Sequence, residues 1–522
     1  MNSLLAAIFA AHSAFAGFRD PMPAPEPPVV QADRVEIGVS SKDAWTVEPA
    51  GEHGLLLIGT DNRGAGWTIV SYSVDFAEQW VARWESPHRK IVLVDRVVTQ
   101  DALVMLLHRA KRNDFSIVRV DLSDGTVTEH TLEAPIRLFG LHQLAVVGDD
   151  VYGLATVREN SLQLGIDGEL LHIDTTDGKV SQVPVADAID ARRVGFLRMT
   201  ADPEADALDL SLFTQKRKRR SVHAVTVQDG AVSDQRTLAP PADGTHNLLT
   251  AQRVRTDEAD LMVGTYARSA KGMAAQGLVV SKLDASGGEE WRRTTSFSDL
   301  DRFFDYLPER RQERVERRAK RKKAQGNDLK LGYLLNLHDV VEQGDALLVI
   351  GEAYYPEYET HQRVVTYTEN GVTKTRIETY TVFVGYRYTH AVVVAFDAQG
   401  TRIWDASFPI GNILSYSVRD RVRVSVEGER VTMVYAYGGR IFSQVATSTG
   451  LVEGTGHQRA EAIGGGRVKR TWATHTEHWY DDRFLVWSYD KVVGGQGGRR
   501  KVFAFAMVEG DPTNAQHGPT AH

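Results

Sequence analysis

A short phrase repeats along this chain: an apolar strand ends in Asp, and a glycine turn follows that is often closed by Trp. The clearest copies run from Leu283 to Trp291 and from Phe396 to Trp404. Two further copies begin at Asp121 and Asp174, and neither has the Trp. Repetition at this scale is typical of architectures that stack one structural unit many times. The repeat therefore constrains the fold more strongly than any single residue does.

Short runs rich in leucine, β-branched and aromatic residues predict one buried strand in each copy. These runs begin at Leu55, Leu103, Val151, Leu208, Leu261, Leu347, Val431 and Phe484. They lie about 50 residues apart, except for two gaps of about 85 that contain insertions, and this spacing fits the four strands of a β-propeller blade. We interpret them as the inner strands of an all-β, eight-bladed β-propeller, with seven blades as the alternative.

The last copy lacks an outermost strand, because only a polar tail follows the strand near Lys501. A β-like segment from Ala32 to Val39 lies before the first copy. An open ring would leave two unpaired sheet edges. We therefore predict that this N-terminal segment supplies the missing strand and closes the ring.

Composition excludes several classes of protein. The chain has 522 residues and no cysteine, which excludes disulfides, thiolate metal sites and a cysteine nucleophile. Its formal net charge of -7 gives no general case for nucleic acid as a partner. No stretch approaches the ~20 apolar residues of a membrane span. We predict one propeller domain over residues 31–510, without nucleic acid or a transmembrane span.

The N-terminus resembles a secretory signal peptide over residues 1–16. An apolar run from Leu4 to Ala11 is followed by Ala14, Phe15 and Ala16, a small-x-small cleavage pattern. No Lys or Arg precedes the run, however, and His12 interrupts it. We predict a proline-rich linker over residues 17–30, a disordered tail over residues 511–522, and a periplasmic or secreted protein, with a cytoplasmic one as the alternative.

The repeated phrase resembles the repeat of quinoprotein-like propellers, with Trp291 and Trp404 at the matching distance after their Asp. The resemblance implies eight blades and a Trp that packs between neighbouring blades. It does not extend to quinone chemistry, because the adjacent cysteines of that family are absent and we find no Asn, Asp and Glu set for its calcium. We therefore predict no cofactor. The segment from Tyr386 to Pro409 is similar to uncharacterised secreted propellers of Bacteroidota-type bacteria, which implies no activity.

The first insertion, residues 299–330, predicts a basic helix that begins at Pro308, ends at Gly326 and projects from the ring. Nine Arg and Lys residues stand there against three Glu. One interpretation is a solvated charged helix. The other is a contact element for an acidic partner or lipid headgroups. The contact residues would be Arg310, Arg314, Arg317, Arg318 and Arg321.

The second insertion, residues 354–388, predicts a long β-hairpin that turns at Asn370-Gly371. Tyrosine is concentrated there, because this insertion holds seven of the chain's 17: Tyr354, Tyr355, Tyr358, Tyr367, Tyr380, Tyr386 and Tyr388. Tyrosine supplies a large contact area at low entropic cost, which favours a partner-binding surface. Alternatively, the rings pack the hairpin onto its own blade.

His475, Glu477 and His478 form the densest group of metal-ligand types in the sequence. In a strand, residues 475 and 477 share a face and residue 478 points away. A three-ligand site would need a bulge there, so we treat these residues as weak candidates and predict no metal.

We predict a non-catalytic binding or scaffold propeller in a periplasmic or cell-surface assembly, with at least one protein partner. The alternative is a propeller enzyme that acts on a carbohydrate or small molecule at the central channel. Such a site is assembled from single residues of different blades and leaves no linear motif. Carboxylates and His around a polar channel would favour the enzyme, whereas an apolar or plugged channel would favour the scaffold.

Overall fold

The computed structural model describes residues 27–510, apart from short gaps. The gaps are residues 41–42, 61–65, 87–90, 110–113, 133–139, 157–165, 192–193, 217–218, 239–245, 257, 268–272, 327–328, 330, 339, 371, 412, 451 and 496–497. The predicted signal peptide, most of the predicted linker and the tail fall outside the described residues. No described helix has the length and apolar character that crossing a membrane requires.

The protein is an all-β propeller built from antiparallel sheets, as predicted. Its described strands fall into eight consecutive units of four strand positions each. Units 3 and 4 are joined into one larger sheet, because strands β12 (Ile166–Ile173) and β14 (Gly195–Asp202) share a two-residue pairing. Within units 1 to 7 the chain runs from the innermost strand to the outermost, and in unit 8 the outermost strand comes from the N-terminal segment.

The closing strand β1 (Val29–Gly38) precedes unit 1. Units 1 to 4 consist of β2 (Ala44–Pro49), β3 (Leu55–Thr60), β4 (Gly66–Tyr72) and β5 (Glu78–Glu85); β6 (Ile91–Val98), β7 (Ala102–Arg109), β8 (Asp114–Asp121) and β9 (Val127–Thr131); β10 (Gly140–Val147), β11 (Asp150–Thr156), β12 and β13 (Val180–Val183); and β14, β15 (Ala207–Lys216), β16 (Arg219–Gln228) and β17 (Ala231–Leu238).

Units 5 to 8 consist of β18 (Asn247–Arg255), β19 (Asp260–Ala267), β20 (Gly277–Leu283) and β21 (Glu289–Ser296); β22 (Leu334–Leu337) with β23 (Val341–Gln343), β24 (Ala346–Glu369), β25 (Val372–Phe396), β26 (Arg402–Pro409) and the short β27 (Leu414–Ser415); β28 (Arg423–Glu427), β29 (Arg430–Tyr437), β30 (Arg440–Thr447) and β31 (Val452–Arg459); and β32 (Arg467–His478), β33 (Phe484–Val493) and β34 (Arg500–Gly510). The helices are α1 (Val185–Ala188), α2 (Glu309–Ala324) and three 3-10 turns at Gly51–His53, Phe297–Asp299 and Ile463–Gly465.

The apolar runs that we interpreted as inner strands are the second strands of their units. Leu55 begins β3, for example, and β2 lies between it and the ring axis. First strands of neighbouring units, such as β6 and β10 or β28 and β32, contact one another. The second strands are more apolar because both of their faces are buried between units, whereas the first strands border the channel.

The N-terminal segment closes the ring, as predicted. Strand β1 pairs antiparallel with β34, from Val29 opposite Gly510 to Gly38 opposite Val502. It occupies the outermost position of unit 8. This pairing removes the free edge that the last unit would otherwise expose.

The hydrophobic core is divided into clusters that lie between neighbouring units. One cluster joins Leu56 of unit 1 to Met105 of unit 2, and another joins Val47 of unit 1 to Trp487 of unit 8. Similar clusters join the intervening units in chain order. Strand pairing and packing thus both favour eight blades, and the blade count stays a prediction.

The repeated Asp-turn-Gly phrase fastens each outer strand to the following unit. The Asp284 and Asp397 side chains accept backbone N–H groups inside their own turns. The Trp291 ring lies against Gly400 of the next unit, so closely that a Cβ there would come within 2.8 Å of the ring. Gly400 has a φ of 70°, which also favours glycine. The phrase therefore encodes packing between blades, as the resemblance implied.

Candidate functional site

The innermost strands of the units carry polar side chains at one common level, and no linear motif in the sequence predicts this arrangement. Each of the eight units contributes one of them at the same height, beside the fourth or fifth residue of its second strand. We call this set the mid-channel ring: Thr46, Arg96, Gln143, Arg198, Gln252, His338, Arg423 and His475. The innermost strands thus carry polar or charged side chains at this level.

Bulges in the innermost strands help to place this ring. The register of pairing with the second strand shifts immediately before Asp95, Gln143, Arg198, Thr250 and His475. Each of these residues belongs to the mid-channel ring or lies within two residues of a member. A bulge adds one residue to a strand, bends it and redirects the side chains that follow. Its repetition in five of the eight units shows that the channel side of the blade departs from regular pairing in a systematic way.

Ion pairs link the ring across unit boundaries. Glu48 of unit 1 pairs with Arg96 of unit 2. Arg423 of unit 7 lies 2.6 Å from Glu477 of unit 8 and 3.3 Å from Asp420. Burial raises the pKa of Glu48 to about 7, against the opposing charge of Arg96 and with the help of Glu477. A carboxyl with such a pKa changes its charge in the neutral range, which is characteristic of functional sites.

Replacing Glu48 by Gln is expected to make the protein more stable relative to wild type at high pH than at low pH. A carboxyl whose pKa rises on folding contributes stability that is complete below its unfolded pKa, near 4.5, and is lost as the pH rises to about 7. Gln stays neutral, so the free energy of unfolding should shift in favour of Glu48→Gln by about 1–3 kcal/mol between pH 4.5 and about pH 8.

Urea unfolding at the two pH values measures this shift. The control is Glu52→Gln, because Glu52 is exposed in the turn at Gly51–His53. If Glu48→Gln and wild type had the same pH dependence, the raised pKa of Glu48 would be wrong.

Unit 6 holds a buried His–carboxylate pair beside the channel. His338 Nε2 lies 2.9 Å from Glu352 Oε1 and 3.5 Å from Asp420 Oδ1. Burial lowers the pKa of His338, but the hydrogen bond that its imidazole donates to Glu352 and the charge of Asp420 outweigh this effect, and the net shift is upward. The pKa of Asp420 is held below its usual range because His338, Arg423 and Arg198 outweigh the effect of burial. The charged forms of His338 and Asp420 are therefore both favoured.

A strap of chain, residues 416–422, leads from unit 6 to the first strand of unit 7 and is fixed by two side chains of unit 6. Glu352 Oε1 accepts the backbone N–H groups of Arg421 and Val422, each at 2.7 Å. The Tyr388 hydroxyl donates to the carbonyl of Arg419 at 2.7 Å and accepts its N–H at 2.9 Å. The strap therefore holds Arg419 and Arg421 in defined positions.

The three weak metal candidates do not form a metal site. His475 and Glu477 share one face, as expected, but His478 points away and its Nε2 lies 2.8 Å from the carbonyl oxygen of Asp481. Burial, and then the charges of four arginines, lower the pKa of His475 to about 4. A cation would be repelled there. Within the described ranges, no group of three or more His, Cys, Asp or Glu could hold a metal ion.

The second insertion forms the predicted hairpin, with β24 and β25 paired up to Glu369 opposite Val372 and the register shifted at Tyr354 and at Tyr358. We call its outer part, residues 358–383, the arm. Two strands of about 12 residues at about 3.4 Å per residue give the arm a length of about 40 Å. Among the described residues, no third strand pairs with it. An isolated two-stranded hairpin is only marginally stable in water, so the arm gains from a partner that covers it.

The two faces of the arm differ in chemistry. One face, which we call the neutral face, carries no charge: Tyr358, Thr360, Gln362, Val364, Thr366 and Thr368 stand opposite Phe383, Thr381, Thr379, Ile377, Thr375 and Thr373. Val364 and Ile377 form a cross-strand pair and are 69% and 68% exposed. The other face carries Glu359, His361, Arg363, Arg376 and Lys374. The neutral face is therefore the part of the arm that most favours removal from water.

The seven tyrosines of the insertion divide between both interpretations. Tyr354 contacts both Tyr386 and Tyr388, whose ring centroids lie 5.5 and 5.9 Å from its own. These three pack the base of the hairpin onto its own unit, and Tyr355 is half-buried near Arg387 and Glu357. The exposed rings lie on the arm: Tyr358 on the neutral face, and Tyr367 and Tyr380 on the charged face.

Helix α2 is the predicted basic helix, but it does not project from the ring. Its Val315 packs against the core cluster of units 5 and 6, and Ala319 is buried. Lys323 forms a 2.8 Å ion pair with Asp299. The contact residues that we predicted are all exposed: Arg310, Arg314, Arg317, Arg318 and Arg321. Helical spacing places them within about 100° of one another, on the side away from Val315 and Ala319.

Both insertions leave the ring at the same end. The α2 segment connects the outermost strand of unit 5 to the innermost strand of unit 6, and the arm connects the second and third strands of unit 6. Because strand direction alternates within a blade, these two kinds of connection lie on one side of the propeller. The strap, which leads from unit 6 into unit 7, lies on that side too.

A cavity of about 500 Å³ opens at one end of unit 1. Three tryptophans line it, and the indole N–H groups of Trp45, Trp67 and Trp84 have no hydrogen-bond partner among the described residues. The rings do not converge, because Trp67 stacks on Trp84 toward unit 2 while Trp45 packs toward unit 8. This divergence makes the cavity a weaker candidate than the channel or the arm.

Comparison with known proteins finds resemblance in structure but not in sequence. No known protein family matches the chain, and no curated protein matches it by sequence. Among solved structures, the dihydro-heme d1 dehydrogenase NirN in complex with DHE aligns at 12% identity with a TM-score of 0.42, and the alignment covers 99% of this chain and 87% of that chain.

Two solved propeller domains align as well. The β-propeller domain of the Trilobed protease from Pyrococcus furiosus aligns at 9% identity with a TM-score of 0.36, over 79% of this chain and 95% of that chain. The Dos1 propeller aligns at 8% identity with a TM-score of 0.38, over 80% and 91%. At these values the likeness concerns the fold alone. The chain is a β-propeller similar in fold to these proteins, and its function has to be inferred from its own side chains.

Proposed function

We propose that this protein is a non-catalytic binding or scaffold propeller whose arm contacts a protein partner. The single observation that carries the proposal is the neutral face, where twelve uncharged side chains in six cross-strand pairs lie on a two-stranded arm. Exposed β-branched residues on a flat pair of strands favour contact with another sheet or strand. A partner with an uncharged β-surface fits this face best.

The neutral face of the arm is smaller than a stable interface requires, so we expect the contact to extend beyond the arm. A face about 40 Å long and two strands wide, with strands about 4.8 Å apart, covers roughly 400 Å². A stable interface takes about 800 Å² from each partner. The arginines of α2 lie on the same end of the ring and supply further area with strong positive charge. We therefore propose a partner that pairs an uncharged β-surface with an acidic patch.

Photo-crosslinking tests the proposal in cells of the native organism. A photoreactive phenylalanine at Ile377 on the neutral face should give a discrete adduct with one protein, whereas the same residue at Val382 on the charged face should give little. Val364→Lys with Ile377→Lys should abolish binding of the identified partner, because two charges would be buried. The matched control, Val365→Lys with Val382→Lys, places the same change on the other face and should retain it.

The test also needs a variant that lacks the outer arm and still folds. The paired residues Thr360 and Thr381 can be joined by an Asn-Gly turn, which removes the outer arm and keeps a two-residue hairpin. We expect this variant to melt like wild type and to lose the partner. An adduct only with a second copy of this chain, or equal adducts from both faces, would contradict the proposal.

We further propose that the protein acts in the periplasm or outside the cell. The support is the pattern of the first 16 residues, with an apolar run and a small-x-small site. N-terminal sequencing of the mature protein from its native source should begin near Gly17. A chain that retained Met1 or Asn2 in the cytoplasm would contradict this location.

The enzyme alternative has one observation in its favour, the mid-channel ring with its carboxylates, His338 and His475. These groups are held in ion pairs and hydrogen bonds. They give no nucleophile with an adjacent base in the described residues. We therefore treat the channel as a site for binding.

A further inference from the structure

Two arginines at the channel have no carboxylate partner in the described part of the chain. Arg96 and Arg423 form ion pairs with Glu48, Glu477 and Asp420. Arg421 instead contacts the Ser415 hydroxyl and lies over the Tyr388 ring at 5.4 Å.

The remaining donors of these two residues are available. The Arg421 Nε is buried without a hydrogen-bond partner. Arg419 is exposed as a residue although its guanidinium is partly buried, and no described group forms a hydrogen bond with that guanidinium. The charge of Glu477 opposes that of Arg419 in part, and the strap adds positive charge around His475.

The backbone that carries these arginines is built to stay in place. Glu352 and Tyr388 together fix four backbone groups of the strap through hydrogen bonds of 2.7 to 2.9 Å. Glu352 itself is fully buried and also pairs with His338. Donors held in position before binding lose less entropy when a ligand arrives. This arrangement is what distinguishes Arg419 and Arg421 from the mobile arginines of an ordinary surface.

We propose that Arg419 and Arg421 form a binding site for a small oxyanion, the carboxylate or phosphate group of a small solute that enters the channel. The planar guanidinium donates parallel hydrogen bonds that match either group. The polar channel, enclosed by the ring of blades, concentrates the field of its charges. Arg96 and Arg423 add to the same potential around His475. This site is independent of the arm and goes beyond the proposed scaffold function.

The titration behaviour of the site agrees with its geometry. Burial, and then the neighbouring Arg421, lower the pKa of Arg419. Burial and four nearby arginines lower the pKa of His475, so this side chain is neutral near pH 7. A bound anion would relieve the repulsion between these cations. A metal ion or a cationic ligand would increase it.

Thermal unfolding with added anions tests the site on the full chain. Inorganic phosphate and malonate, each compared with chloride at matched ionic strength, are the probes. At a concentration of about 100 Kd, either should raise the Tm by at least about 2 °C, and the better of the two identifies the phosphate or the carboxylate as the preferred group. No rise beyond that of chloride would overturn the proposal.

Variants locate the site. Arg419→Gln leaves an exposed position polar and should fold normally, and it should weaken binding of the better anion at least about tenfold in calorimetry. Arg419→Gln with Arg421→Gln should abolish binding. The matched control, Arg317→Gln with Arg318→Gln on α2, should bind as wild type does. Unchanged binding by Arg419→Gln, or equal loss in the α2 control, would overturn the assignment.

Discussion

Replacing Arg34 by Ala is expected to lower the free energy of unfolding by about 3–5 kcal/mol, the cost of leaving a buried charge without its partner. Arg34 lies on the closing strand, and its guanidinium is 2.7 Å from Asp490 of unit 8. The Arg34 and Asp490 side chains are 5% and 0% exposed. Without Arg34, Asp490 would keep only the hydroxyls of Thr471 and Ser488.

Hydrogen exchange and denaturant unfolding check this expectation. Amides of the β1–β34 pairing, such as those of Val35 and Phe505, should exchange faster in Arg34→Ala, because the last blade opens where β1 detaches. The control is Arg317→Ala, since Arg317 and Glu313 are 3.7 Å apart and their side chains are 80% and 60% exposed. An exposed pair of this kind contributes about 0–0.5 kcal/mol. Equal effects of the two substitutions would show that the closing strand does not depend on its ion pair.

Glu352→Ala is the second change with a large expected effect, a loss of about 3–5 kcal/mol in the free energy of unfolding. The substitution leaves two backbone N–H groups without their acceptor and leaves the His338 imidazole with Asp420, at 3.5 Å, in place of Glu352 at 2.9 Å. Buried donors that lose their partner carry the full cost of desolvation. The strap should loosen, and anion binding through Arg419 should weaken with it.

Denaturant unfolding measures the loss, and two variants bracket it. Glu352→Gln keeps one carbonyl acceptor and should lose less than Glu352→Ala. Glu359→Ala removes a side chain that is 63% exposed on the arm and should change stability by less than about 0.5 kcal/mol. If Glu352→Ala were as stable as wild type, the strap would be held by something other than this carboxylate.

Sequence patterns predicted the architecture well because they record local requirements. The repeated Asp and Gly residues fix turns, the apolar runs fix buried strands, and the segment from Ala32 to Val39 was needed to close the sheet. These rules concern neighbours along the chain or one edge that must be paired. The assignment of the apolar runs to inner strands was wrong, because burial on both faces marks the second strand of a blade rather than the one at the axis.

The functional residues were predicted less completely than the architecture, and the reason is physical. Tyrosine enrichment drew attention to the hairpin, but only cross-strand pairing separates Tyr358 on the neutral face from Tyr388, which holds the strap. The alternation that produces the neutral face was present in the sequence as uncharged residues at every second position from residue 360 to residue 368 and again from residue 373 to residue 381. Counting residues by type hides such a pattern, because it appears only when the two strands are read in register.

By itself, the sequence determined a repeating β-architecture, a ring closed by the N-terminal strand, and two insertions, because each follows from spacing, turn residues and hydrophobic pattern. Only the tertiary structure decided which side chains meet at the axis. Thr46 and His475 are more than four hundred residues apart along the chain and occupy neighbouring units of one ring. No local rule relates them, since ring closure alone brings such distant strands to a common channel.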